Sequence, residues 1–398
     1  MKSSYKLLVI VLFSTLFATT VIAEPELAPE LTQWLRDHPA AMTALDRLSP
    51  GARARFLQGV RFHNGVFRGF STFDLEAELD GPGCKAFLSA FGLEEYTPPC
   101  YGGEPEARRR IAAAPSLPSE LENRFDTFIA AAHSKSDEGR EKVFVRLFPE
   151  AQSAQSIAAL GDHDLWLLFR AANYGDTPTA THVRILQRVF DTLHARKLAT
   201  RMDHTYIQRR LLAAHLYADA RAFNSVHTEA GLAAIPQIID DAGPAWTGPT
   251  LLRQDGNNWR REPVDLNKTQ VLVLHGCHFS EDAALDIAAD PILGPVFAKH
   301  ARWLSLPPGS GDFDAVSQWN HSHAPQRMEM LYDLDEWTLI DQWIMPTFIV
   351  VRDGREVDRF SGWRSGEPEF RQRLIAALRQ VGLLDAPSEA DADANKGT

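Results

Sequence analysis

The residues best suited to chemistry in this chain lie within Val271-Leu-Val-Leu-His275-Gly276-Cys277-His278-Phe279-Ser280. An apolar run of this kind reads as a buried strand. His275-Gly276 breaks it, and Cys277 falls where the next helical pattern begins. A thiol at a helix N-terminus faces unpaired backbone N–H groups and the positive end of the helix dipole. Both favour the thiolate, which is the reactive form of cysteine. Ser280, one helical turn on, can donate a hydrogen bond to that sulfur, and a protonated His278 would favour its ionisation. Far downstream, Trp343-Ile-Met345-Pro346-Thr347-Phe348-Ile-Val-Val351 places a proline directly before a second buried strand.

The elements that must hold these residues lie between Pro249 and Leu384. Thr250 to Trp259, with Asp255-Gly256 inside it, reads as a β-hairpin. Pro263 to Gln270 leads from it into the apolar run. Arg302-Trp-Leu-Ser-Leu306 reads as a further strand and Asp312 to His321 as a helix. Arg352-Asp353-Gly354-Arg355 reads as the turn of a closing hairpin.

In order and spacing these pieces resemble the thioredoxin-like superfamily, and within it the TlpA-like branch of periplasmic thiol-disulfide oxidoreductases. The resemblance covers about a third of the chain. It implies an α/β domain with a central mixed sheet flanked by helices. It implies that Cys277 is the catalytic thiol, and that Pro346 is a cis-proline presenting backbone to an extended substrate. Met345 and Gly276 would then shape the substrate groove. The sequence departs from the family at the site itself. The usual C-x-x-C is here Cys277-His278-Phe279-Ser280, so the site cannot close its own disulfide. Gly276 replaces the usual aromatic residue, and no acid lies in the preceding strand.

Two further cysteines, Cys84 and Cys100, flank a Phe/Leu/Pro-rich segment. They read as a structural disulfide, worth roughly 3 kcal/mol in the chain-entropy model. The alternative is that one of them resolves Cys277. The chain opens with Lys2 and Lys6, an apolar stretch from Leu7 to Ala18, and small residues to Ala23, which is the pattern of a cleaved secretory signal. That pattern implies a periplasmic or secreted protein with no stable membrane anchor after cleavage. The same compartment oxidises thiols.

The expected organisation is a signal peptide at 1–23 and a mostly α-helical N-terminal region at 24–235. A linker at 236–248, the thioredoxin-like domain at 249–385 and an acidic tail at 386–398 follow. In the helical region Ser49-Pro50 opens a helix, and Phe62, Phe67, Phe70 and Phe73 form a core cluster. Asp74 to Leu79 is helical and ends at Gly81-Pro-Gly83. Ser119 opens another helix with Phe125 and Phe128 on its apolar face. Thr177-Pro178 starts a long helix with Val183, Leu186, Val189, Phe190 and Leu193 on one side. His163, His182, His194, His204 and His215 read as surface or hydrogen-bonded residues.

Hydrophobic residues make up 44% and charged residues 23% of the 398, and the net charge is -11. That balance is ordinary for a soluble protein and unlike a nucleic-acid-binding surface, which needs clustered Lys and Arg. The expected partner is a thiol- or disulfide-bearing protein or a glutathione-type thiol, with no cofactor and no metal required. Two other readings stay open. One is a polypeptide-binding module that keeps the groove without catalysis. The other is copper held by His275, Cys277 and His278, with His321, His323, Met328 and Met330 as a second cluster. Met328 and Met330 alternate as strand residues do, which suits packing better than ligation.

Overall fold

A computed structural model describes residues 28–63, 66–132, 135–175, 178–323 and 326–385. The expected signal peptide, the acidic tail and Thr177 lie outside the described residues. No helix among those described is long and apolar enough to cross a membrane. The chain divides into two compact units, Met1–Pro118 and Ser119–Thr398. The helices from Ser119 onward therefore belong to the same unit as the C-terminal sheet.

In the first unit, helices at Pro29–Asp37, Pro39–Leu45 and Pro50–Gly59 precede a small hairpin, β1 (Arg61–His63) and β2 (Val66–Arg68). The Ser49 side chain caps the third helix through the Ala52 N–H, as its position before Pro50 implies. Phe56, Phe67, Phe87 and Phe91 are buried together, with Trp34, Phe62 and Phe70 against them, so of the expected cluster Phe67 is core, Phe62 and Phe70 line it, and Phe73 stands outside it.

Gly81-Pro-Gly83 does not merely end a helix. It opens another, Gly81–Ala90, whose N-cap Asp80 accepts from the Gly83 N–H. Proline in a first helical turn lacks only an N–H that would be unpaired anyway. Cys84 sits on this helix and is joined to Cys100, with their Cα atoms 6.4 Å apart. The cross-link thus ties the buried face of this helix to the segment after it.

The second unit is mixed α/β. Its sheet contains β3 (Gln237–Asp240), β4 (Thr250–Asp255), β5 (Asn258–Pro263), β6 (Gln270–Leu274), β7 (Ala301–Ser305), β8 (Met328–Leu331), β9 (Thr347–Arg352) and β10 (Arg355–Ser361). The order is β10-β9-β6-β7-β8-β4-β5-β3. β6, β7 and β8 run parallel to their neighbours in that series, and β9, β10 and β4 pair antiparallel. β3 lies inside the stretch expected to be a linker. It pairs in parallel with β5 at the sheet edge.

All five residues of β6 are buried, as a central strand covered on both faces requires. Leu272 and Leu274 join a core with Leu304, Ile349, Trp337 and Ile340. Phe297 meets Trp303 and Phe348, with ring centroids 6.2 and 6.3 Å apart.

The helices preceding the sheet dock onto it. Arg209 Nε donates to the Gly309 carbonyl at 2.7 Å, and the His215 ring stacks on Tyr332 at 4.0 Å. Val183, Leu186, Val189, Phe190 and Leu193 are all fully buried, so the helical stripe in the sequence is the packing face of Ala180–Ala195.

Candidate functional site

Strand β6 delivers the chain to the site. After Leu274 the path turns at Gly276, and Cys277, in extended conformation, is the N-cap of helix His278–Ala289. Its carbonyl accepts from the Ser280 N–H at 2.9 Å, closing the first turn. That turn brings Ser280 Oγ to 3.3 Å from the Cys277 sulfur. Ser280 is fully buried, whereas Cys277 is partly exposed and free. Cys277 thus keeps part of its surface open to solvent, and its sulfur is backed by a buried hydroxyl.

The second half of the site comes from the segment entering β9. The Met345–Pro346 peptide bond is cis. The Met345 carbonyl lies 3.5 Å from the Cys277 sulfur and accepts from it. The Pro346 carbonyl is taken by the Gly362 N–H at 2.8 Å, and Thr347 Oγ1 meets Ser361 Oγ at 2.6 Å. β10 thus fixes the proline segment from behind. Ser280 can donate to the sulfur and the Met345 carbonyl can only accept from it.

Gly276 completes the approach. A Cβ there would stand 2.6 Å from the Met345 sulfur. This close contact accounts for glycine at a position where a bulky residue would displace Met345. Sequence reasoning therefore named residues that the fold brings together: Gly276, Cys277, Ser280, Met345 and Pro346.

His278 stands apart from them. Its ring packs on Phe279 at 3.8 Å, both residues are exposed, and the Cys277 sulfur finds its hydrogen-bond partners in Ser280 and Met345. Ile344, 50% exposed, and Phe279, 45% exposed, add apolar surface beside these residues.

His275, a strand-breaking residue and a candidate copper ligand in the sequence, is buried in a way that its spacing does not signal. It is 7% exposed, and neither ring nitrogen has a hydrogen-bond partner. Its ring meets Trp319 edge-on at 4.2 Å and Trp303 at 6.0 Å. Burial, with a smaller contribution from His323, lowers its pKa to about 4. His275 is therefore a neutral, packed imidazole.

The copper constellation does not assemble. Met328 and Met330 are buried strand residues, and His323 stacks on Trp319 at 3.8 Å. Among the described residues, one group of three or more His, Cys, Asp or Glu ligand atoms converges. It is His194, His204, His227 and Glu229, away from Cys277 in the sequence.

A cavity of about 820 Å³ opens where β6, β7 and β8 begin, lined by Lys268, Gln270, Lys299, Arg302 and Glu329 among others. Cys277 follows the opposite, C-terminal end of β6. In open α/β sheets that is the end where ligands bind, and the cavity lies at the other end of the strand.

No protein-family model, curated protein or solved structure matches this chain.

Proposed function

We propose that the chain is a thioredoxin-like protein of the TlpA-like branch, exported to the periplasm or beyond, that carries out monothiol thiol–disulfide exchange through Cys277. The single observation that carries this reading is the approach of the Cys277 sulfur to within 3.5 Å of the carbonyl preceding cis-Pro346. The order of elements supports it: hairpin, central strand, cysteine helix, second strand, inserted helix, Met-Pro, closing hairpin.

The Cys277 thiolate attacks one sulfur of a disulfide, forming a mixed disulfide and expelling the other sulfur as a thiolate. A second external thiol then attacks the mixed disulfide and restores Cys277. No electrons remain on the chain after a full cycle. Ser280 donates to the sulfur while it carries charge. The backbone beside Pro346 and the apolar Ile344 and Phe279 receive an extended polypeptide.

The test is turnover of a glutathionylated peptide with reduced glutathione as second substrate. A free thiol is only a few per cent thiolate at neutral pH. An activated thiol therefore has room to exceed the thiol buffer by at least about tenfold. The chain should reach that margin, and Cys277→Ser should fall to the buffer rate. A wild-type rate equal to buffer alone would reject exchange and leave the groove as a polypeptide-binding surface.

A further inference from the structure

Three histidines and a glutamate from four successive segments meet in the helical part of the second unit. His194 lies near the end of helix Ala180–Ala195, and His204 lies early in helix Arg201–Ala213. His227 follows helix Tyr217–Val226, and Glu229 stands in the short 3-10 turn Thr228–Ala230. One ligand atom from each falls within 4.8 Å of all the others. We propose that His194, His204, His227 and Glu229 form a structural site for a divalent transition ion of the zinc type, separate from Cys277.

The buried members are poised to ligate. His204 Nδ1 is bonded to the Thr200 carbonyl at 2.8 Å, which makes it the N–H of the ring and leaves Nε2 with a free lone pair. That Nε2 is buried without a partner, and so is His227 Nδ1. Leaving a buried polar atom unpaired costs about 1–3 kcal/mol. Ring packing against Phe190 and Phe223 does not satisfy a lone pair.

The Glu229 carboxylate already stands 3.5 Å from His227 Nδ1 and 3.8 Å from His204 Nε2. Four ligands about 2.0–2.2 Å from a tetrahedral ion stand roughly 3.3 Å from one another. Closing the remaining gap is the task of His194 and Glu229, the two exposed members.

The outer shell fits as well. Metal-bound histidines usually donate their other N–H to a carbonyl or carboxylate, which fixes the tautomer and orientation. Thr200 does this for His204. It is itself held by a capping box, in which its hydroxyl takes the Asp203 N–H and the Asp203 carboxylate takes the Thr200 N–H. Imidazole and carboxylate donors suit zinc and its neighbours. Four protein ligands leave no open position, so the ion would cross-link three helix ends and perform no chemistry.

The experiment is zinc binding to the full chain, free of any histidine tag and stripped by chelator, measured by competition with a chromophoric chelator. Cobalt(II) serves as a spectroscopic substitute. One zinc per chain is expected, with the strong visible bands of four-coordinate cobalt. Because loss of an outer-shell partner alone costs 10–100-fold in affinity, His194→Ala and Glu229→Gln should each weaken binding by at least about 100-fold. Both side chains are exposed, and a circular-dichroism spectrum equal to that of the unmutated chain verifies their fold. Cys277→Ser should bind as the unmutated chain does. No bound zinc, binding indifferent to both variants, or binding lost with Cys277 would each overturn the site.

Discussion

Ser280→Cys should turn a site that stalls into one that completes a two-electron cycle. With oxidised glutathione, the unmutated chain is expected to accumulate a Cys277–glutathione adduct, since no second thiol stands within reach. In the variant the new sulfur replaces an oxygen that is 3.3 Å from the Cys277 sulfur, one helical turn along. A disulfide needs sulfurs about 2.0 Å apart, and side-chain rotation within one turn covers the difference. The adduct then loses glutathione internally. One oxidised glutathione and two protein thiols give one internal disulfide and two reduced glutathiones.

Holding the two sulfurs in contact replaces a bimolecular step by an intramolecular one, so adduct lifetime should fall by at least about a hundredfold. Intact-mass spectra over time measure this directly. Ser280→Ala is the control: without the hydroxyl that supports the thiolate it should form the adduct more slowly, and should then hold it as long as the unmutated chain does. A long-lived adduct in Ser280→Cys would mean that the first helical turn does not hold the two positions in register. Residue 280 is fully buried, so sulfur in place of oxygen should cost about 1–3 kcal/mol from overpacking. The expected variant is therefore more reactive and somewhat less stable.

The parts of this site that could be read from the sequence are those set by local rules. A run such as Val271 to Leu274 can only be a covered strand. A cysteine after His275-Gly276 falls at the next helix start because the chain must turn there. The turns after Asp255 and Arg352 were legible from Gly256 and from Asp353-Gly354, all in the left-handed region.

What escaped was fixed by distant partners. β3 is a four-residue edge strand, Gln237-Ile-Ile-Asp240, too short to show an alternating pattern, and its parallel pairing with β5 is set by a distant partner. Gly81-Pro-Gly83 has the composition of a helix stop, yet Asp80 before it is a good N-cap and a helix starts there. The chain divides after Pro118: the helices beyond pack chiefly on one another and are tied to the segments around the sheet through residues such as Arg209 and His215, and an apolar stripe does not name its partner. His194, His204 and His227 are spread over 34 residues and share no compact ligand motif. Helix lengths and crossing angles bring them together, and neither is written in residue spacing.

His275 shows the same limit and gives the second large effect. It directly follows β6 and reads as a strand-breaking polar residue, yet it is buried between two tryptophans with no partner for either nitrogen. Its pKa falls from 6.5 to about 4 on folding, through burial first and His323 second. The unfolded chain therefore binds this proton more readily than the native one. Stability should be complete above pH 6.5 and decline as pH drops, until the native imidazole also protonates near pH 4. The full loss is roughly 3 kcal/mol, at 1.36 kcal/mol per pKa unit.

Carboxylates also titrate in this window, so the informative quantity is a difference. Urea unfolding at pH 7 and pH 4.5 should show the unmutated chain losing roughly 2 kcal/mol more than His275→Phe, which keeps a flat ring among the tryptophans and carries no proton. At pH 7 the variant should be at least as stable, because two unpaired buried nitrogens are gone. Equal pH slopes in the two proteins would show that His275 reaches water in the native state. The consequence extends to Cys277, two residues on. As the native imidazole protonates near pH 4, a charge forced into the tryptophan pocket loosens the turn that presents the thiol, so at that pH exchange in the unmutated chain should fall further than in His275→Phe. Carboxylate titration elsewhere affects both proteins alike, and the difference in their exchange profiles isolates the imidazole.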